Sequence, residues 1–109
     1  MQMYNVITLP LAEDDIQSNT DYIAFEKQAP ETALQLAVGF RNKIAQLEFM
    51  PEKHEFDEDE ELAALGIHKC YYKNYKIYFY INTQNNTVYV LRVLHMLVNA
   101  KPLLLNLRF

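Results

Sequence analysis

The apolar positions change period along the chain, and each change marks an element. Tyr4 to Leu9 is a short apolar run containing Val6, Ile7 and Thr8, residue types that suit a strand. Pro10 follows, then Glu13, Asp14 and Asp15, the proline and first-turn acids of a helix N-terminus. Ile16 and Ile23, with Ala12 and Tyr22 or Phe25, form an apolar stripe that predicts a helix over about residues 11–28. Ala29-Pro30-Glu31 ends it and opens a second helix. There Ala33, Ala37, Phe40, Ile44 and Leu47 recur at steps of four and three, which places them on one face. Pro51 stops this helix, and the short connection makes the pair an antiparallel hairpin.

Residues 52–61 break the pattern. Seven of the ten are acidic, so mutual repulsion predicts a solvated, mobile loop. The run does not fit a calcium loop, because Leu62 and His68 stand where the glycine and the last acid would be needed, and no metal site is expected. Beyond it the period becomes two. Residues 66–72, 75–82 and 87–95 read as strands, joined by the tight turn Lys73-Asn74 and a longer turn over residues 83–86. Such short connections make the strands antiparallel neighbours. In the middle strand Ile77, Phe79 and Ile81 share the face expected to lie on the helices. Lys76, Tyr78 and Tyr80 share the other, expected to meet solvent or a ligand. The segment 101–109 is too apolar for a free tail and is expected to pack on the domain or a partner. The expected fold is α+β: a two-helix hairpin on a four-stranded, mainly antiparallel sheet in the order β-α-α-β-β-β, forming a single domain over residues 1–109.

Charge changes this picture. The 109 residues carry ten Lys and Arg against fourteen Asp and Glu, net −4. All the acids lie before residue 62, whereas the remainder holds Lys69, Lys73, Lys76, Arg92, Lys101 and Arg108. A basic half is thus concealed in an acidic total, and its local field can attract phosphate or an acidic partner. The lone Cys70 cannot form an internal disulfide, and no segment reads as a signal core or a membrane span, so a cytoplasmic location is expected.

Three segments together resemble the RelE/ParE superfamily of bacterial toxins. They are Tyr4–Ile16, with its strand, proline and acidic helix start; Pro30–Pro51, with its closing leucine and proline; and Tyr75–Ile81 followed by Val88–His95, which ends in valine-leucine-histidine. The resemblance covers nearly the whole chain. It implies the toxin of a type II toxin–antitoxin, or plasmid stabilisation, system, neutralised by a cognate antitoxin. RelE-like members cleave mRNA on the ribosome without a metal or cofactor, and ParE-like members inhibit DNA gyrase. A third alternative is a decayed toxin that only binds its antitoxin.

Metal-free RNA cleavage needs an acid/base group and cations for the developing phosphate charge. Imidazole is a side chain suited to acid/base work near neutrality, and His95 matches the family's histidine, so it is the candidate acid/base of an mRNA interferase. Lys69, Lys73, Lys76 and Arg92 are candidate RNA and phosphate ligands, and Tyr78 and Tyr80 candidate base-stacking rings. Strict alternation places Arg92 and His95 on opposite faces unless a bulge re-aims one. His68 and Val98 stand where nuclease-type relatives carry arginines, and neither supplies a permanently charged fork. This favours a non-catalytic toxin that binds gyrase or another target over a nuclease.

Overall fold

A computed structural model describes residues 3–107. Its elements are β1 (Asn5–Thr8), α1 (Pro10–Asp21), α2 (Pro30–Ala45), α3 (Glu60–Ala64), β2 (Ile67–Tyr72), β3 (Tyr75–Asn82), β4 (Thr87–His95) and α4 (Lys101–Leu105). The sheet order is β1-β4-β3-β2. β1 runs parallel to β4, and the other pairs are antiparallel. The expected α+β hairpin-on-sheet fold is present, with α3 and α4 added.

The first helix begins with Pro10 as expected and widens after Asp21 into a π-helical turn, Tyr22–Glu26. Gln28 then takes a left-handed conformation (φ 52°) that redirects the chain into α2. The buried stripe of α2 is Ala33, Leu36, Phe40 and Ile44, so Leu36 rather than Ala37 faces the core. The two helices are also tied at the surface, where Arg41 of α2 donates to both Glu13 carboxylate oxygens, at 2.9 and 2.6 Å.

The helix-facing core joins Ala12, Ile16, Leu36, Phe40 and Ile44 to Ile77, Phe79, Val88, Val90 and Val93. β4 reaches this arrangement through a bulge. Phe79 pairs with Val90 and Tyr78 with Arg92, which leaves Leu91 as the extra residue. Unbroken alternation from Val88 and Val90 would turn Arg92 into the apolar core. The bulge puts Val93 there instead, and Leu91 and Leu94 fall on the opposite face.

That opposite face corrects a sequence expectation. It is not open at Tyr78. Leu62 of α3 and Ala100 and Leu104 near and within α4 cover Tyr78, Leu91 and Leu94, forming a second core. The C-terminal segment thus packs on its own sheet, as far as Leu107; residues 108 and 109 lie outside the described residues.

The acidic stretch is also not a free loop. Residues 55–57 lie along the outer edge of β2, with the Asp57 N–H donating to the Ile67 carbonyl at 2.9 Å and the Lys69 N–H to that of Glu55 at 3.3 Å. Asp59 caps α3 by accepting from the Glu61 and Leu62 amides at 3.0 and 3.2 Å. The repulsion expected from sequence is offset by lysines of the C-terminal half. Lys69 bridges Glu58 and Asp57, and Lys101 bridges Asp59 and Glu61.

Candidate functional site

The sequence candidates gather on β2, β3 and β4, but most are committed to the fold. β1 pairs with β4 only as far as Val90, and beyond it the outer edge of β4 faces α1. Asp15 of α1 occupies that edge. Its carboxylate accepts Arg92 Nε at 2.7 Å, a terminal Arg92 nitrogen at 2.8 Å and the Val93 N–H at 2.9 Å. Asn19, one turn later, donates to the Val93 carbonyl at 3.4 Å. Side chains of α1 thus replace the missing strand. Both charged groups are largely enclosed, and the carboxylate raises the Arg92 pKa further above its ordinary value despite the opposing effect of burial.

Lys69 is similarly held. Burial disfavours its charge, but Glu58, the Tyr71 hydroxyl and Asp57 outweigh burial and raise its pKa. Tyr78 is 2% exposed, and burial pushes its hydroxyl up to about 12, with Asp57 adding to the shift. Enclosed in the second core, that ring presents no face to a nucleobase. Tyr80 is half-buried and borders an apolar groove of about 710 Å³ with Leu9, Leu65, Tyr89, Leu105 and Leu107.

His95 is the last residue of β4. Its ring meets Tyr75 edge-on at 5.4 Å, and Nδ1 accepts the Leu97 N–H at 3.2 Å, which places a neutral ring's proton on Nε2. His95 pairs across the sheet with Tyr75, on the helix side, and Arg92 with Tyr78, on the other. The bulge precedes both residues and leaves them on opposite faces. Lys73 and Lys76 have no carboxylate within 4 Å among the described residues. Each instead lies over a tyrosine ring, Tyr72 at 5.7 Å and Tyr78 at 5.6 Å.

His68 does not project to the surface. It is buried, stacked between Phe56 at 4.1 Å and Phe79 at 5.3 Å, with Nδ1 at 2.8 Å from the His54 carbonyl. Val98 lies just past β4 in an exposed turn. Cys70 is buried in the helix-side core, where burial pushes its thiol up to about 11, the character of an inert core thiol. Two features escaped sequence reasoning. Asp15 reads in sequence only as a first-turn acid, and the exposed turn over residues 96–98 carries no periodic signal.

Comparisons with known proteins agree on the fold. The model of the family described as "ParE toxin of type II toxin-antitoxin system, parDE" matches residues 6–97. No curated protein matches the sequence. Among solved structures, the chromosomal ParDE system of P. aeruginosa superposes with a TM-score of 0.69 at 15% identity, covering 85% of this chain and 96% of that one. The RelBE2 toxin–antitoxin complex of Mycobacterium tuberculosis gives a TM-score of 0.59 at 21% identity, covering 85% of this chain and 98% of that one. No helix among the described residues is long and apolar enough to cross a membrane. With a family model matched over most of its length, the chain belongs to the ParE toxin family of type II toxin–antitoxin systems.

Proposed function

We propose that this toxin acts by binding rather than by cutting RNA, that its target is DNA gyrase, and that a cognate antitoxin neutralises it in the cytoplasm, with residues 1–109 acting as one toxin domain. One observation carries this reading: the groups that RNA cleavage needs are not assembled. Arg92 is held by Asp15, Lys69 by Glu58 and Asp57, and Tyr78 is enclosed. His95 stands on the other face of the strand from Arg92. Cleavage without a preorganised cation for the phosphate forfeits on the order of a hundredfold or more in rate. The match is to the ParE type of toxin, and the gyrase target is what the resemblance to ParE-like members implies. The antitoxin partner is supported by the two superposed structures, both solved within toxin–antitoxin systems. The apolar groove beside Tyr80 and Tyr89 offers a seat for an amphipathic antitoxin segment.

The test is induced expression of the chain in a bacterial host, with mRNA integrity and plasmid supercoiling followed over the same minutes. Growth arrest with intact mRNA and relaxed plasmid is expected. Rapid mRNA fragmentation would return the nuclease reading and make His95 the residue to replace. Soluble protein with no arrest would leave only antitoxin binding.

A further inference from the structure

Between α2, the segment that follows Pro51 and the outer edge of β2 lies an open cleft of about 590 Å³. Of the sequence candidates it contains only Lys69, which is already paired with Glu58. The buried Cys70 lies at its floor, and Lys43 of α2 faces it together with Lys53 and His54. The chain sets these last two residues firmly. Met50 takes a left-handed conformation (φ 47°) directly before Pro51, which turns the backbone out of the direction of α2. A short 3-10 turn, Pro51–Lys53, follows. The His54 carbonyl then accepts from His68 Nδ1 at 2.8 Å, and the His54 ring meets the buried Phe79 edge-on at 5.9 Å.

Neither Lys43 nor Lys53 has a carboxylate within 4 Å among the described residues. Their charges act inward on two separate groups. Burial is the largest influence on both His54 and Cys70, disfavouring the imidazolium of one and the thiolate of the other. Next come Lys43 and Lys53 at each of them, with His68 adding to the pair at His54. Glu55 and Glu58 also line the cleft, but neither acts on His54 or Cys70, and Glu58 is engaged by Lys69. Two ammonium groups thus converge beside an imidazole at the inner end of the cleft, without a counter-charge there.

We propose that Lys43, Lys53 and His54 form a binding site for a phosphate group, borne either by inorganic phosphate or by a mononucleotide. Two cations and a ring N–H match a dianion with three terminal oxygens better than a carboxylate, which has one charge and two oxygens. The volume falls in the range of small-molecule sites. Tyr71, 53% exposed, borders the cleft with an aromatic ring available to a nucleobase. The proposal is independent of the target assigned to the toxin.

The test is a titration of the full chain with inorganic phosphate, with 5′-AMP and with acetate at constant ionic strength, followed by amide NMR. Phosphate is expected to give saturable shifts at Lys43, Lys53, His54 and Cys70, with acetate at least tenfold weaker. Lys43→Gln and Lys53→Gln should each weaken phosphate binding roughly tenfold, whereas Lys27→Gln, outside the cleft, should leave it unchanged. The exposed position of Lys53 makes its variant the safeguard should Lys43→Gln fold poorly. Tighter binding of AMP, with shifts reaching Tyr71, would support the site and identify its ligand as a nucleotide. Equal or weaker binding of AMP would support the site and assign it to free phosphate. Three results would overturn the proposal: no saturable shift, shifts spread over lysines outside the cleft, or phosphate affinity unaltered in Lys53→Gln. Acetate binding as tightly as phosphate would overturn it too.

Discussion

Gly39 lies under the ring of Tyr72. A Cβ added there would stand 1.7 Å from the Tyr72 hydroxyl oxygen and 2.2 Å from Cζ. The ring cannot simply withdraw, because it packs edge-on against Phe40 at 5.4 Å. Gly39→Ala is expected to cost about 1–3 kcal/mol by overpacking, read as a fall in the urea midpoint. In a Tyr72→Ala background most of that cost should vanish. Asp15 makes a sharper case. Its removal leaves a largely enclosed guanidinium without its carboxylate and the Val93 amide without an acceptor. Asp15→Ala should therefore cost about 2–4 kcal/mol, and Asp15→Asn less, because an amide oxygen can still accept from Val93. An equal loss in both variants would mean that charge, not the backbone bond, dominates there.

The elements that sequence reveals are those whose partners are near in sequence or whose period is sustained. The hairpin and three antiparallel strands belong to that class, since their stripes and turns are local signals. The β4 bulge does not. Val88 to His95 reads as plain alternation, and only the cost of pointing Arg92 into the helix-side core selects Leu91 as the extra residue. α3 is hidden for a related reason: the repulsion within residues 52–61 is visible in sequence, whereas the lysines that offset it lie on β2 and at the start of α4. The candidate site was legible in its residue types and not in their availability. Nothing local shows that Arg92 and Lys69 are already paired.

Those ion pairs have a pH signature. Hydrogen bonding from Lys69 holds the Glu58 carboxyl below its usual 4.5, and hydrogen bonding from Arg41 does the same for Glu13. Each folded carboxyl resists protonation more than its unfolded counterpart, so its stabilisation is complete above pH 4.5 and drains as pH falls through the lower folded value. His54 acts in a higher window. Burial first, then the charges of Lys43, Lys53 and His68, lower its pKa from 6.5, so stability already declines as pH falls below that value. Urea unfolding between pH 7.5 and 3 is expected to show both declines, Glu58→Gln shrinking the lower and His54→Gln the upper. A profile unmoved by either variant would show that these groups titrate alike in both states. α4 is a further element with a defined contribution. Leu104 is buried over the Tyr78 face, and Leu104→Ala should cost about 2–4 kcal/mol.

For the whole molecule, the two cores on opposite faces of one sheet make β3 and β4 the structural centre. Both strands have hydrogen-bonded neighbours on each side for at least part of their length, whereas β1 is a four-residue edge strand. Amide hydrogen exchange should be slowest in Ile77–Phe79 and Val90–Leu94 and faster in α4, which is a single short helix. Charge also organises the molecule. Glu13, Asp15, Asp57, Glu58, Asp59 and Glu61 pair with Arg41, Arg92, Lys69 and Lys101, so acids of the first half tie cations of both halves into the fold.

The parallel pairing of β1 with β4 has a consequence for how this toxin comes into being. Asn5 pairs with Thr87 and Thr8 with Val90, so the first strand waits for almost the last before it has a strand partner. Contacts so distant in sequence close slowly. During synthesis, at about 5–20 residues per second, the strand bearing Val6 and Ile7 stays unpaired for seconds, and the sheet cannot close until β4 has left the ribosome. The four-stranded sheet is thus incomplete for most of the chain's translation. An antitoxin that captures the folded sheet need only be present when the last strand arrives.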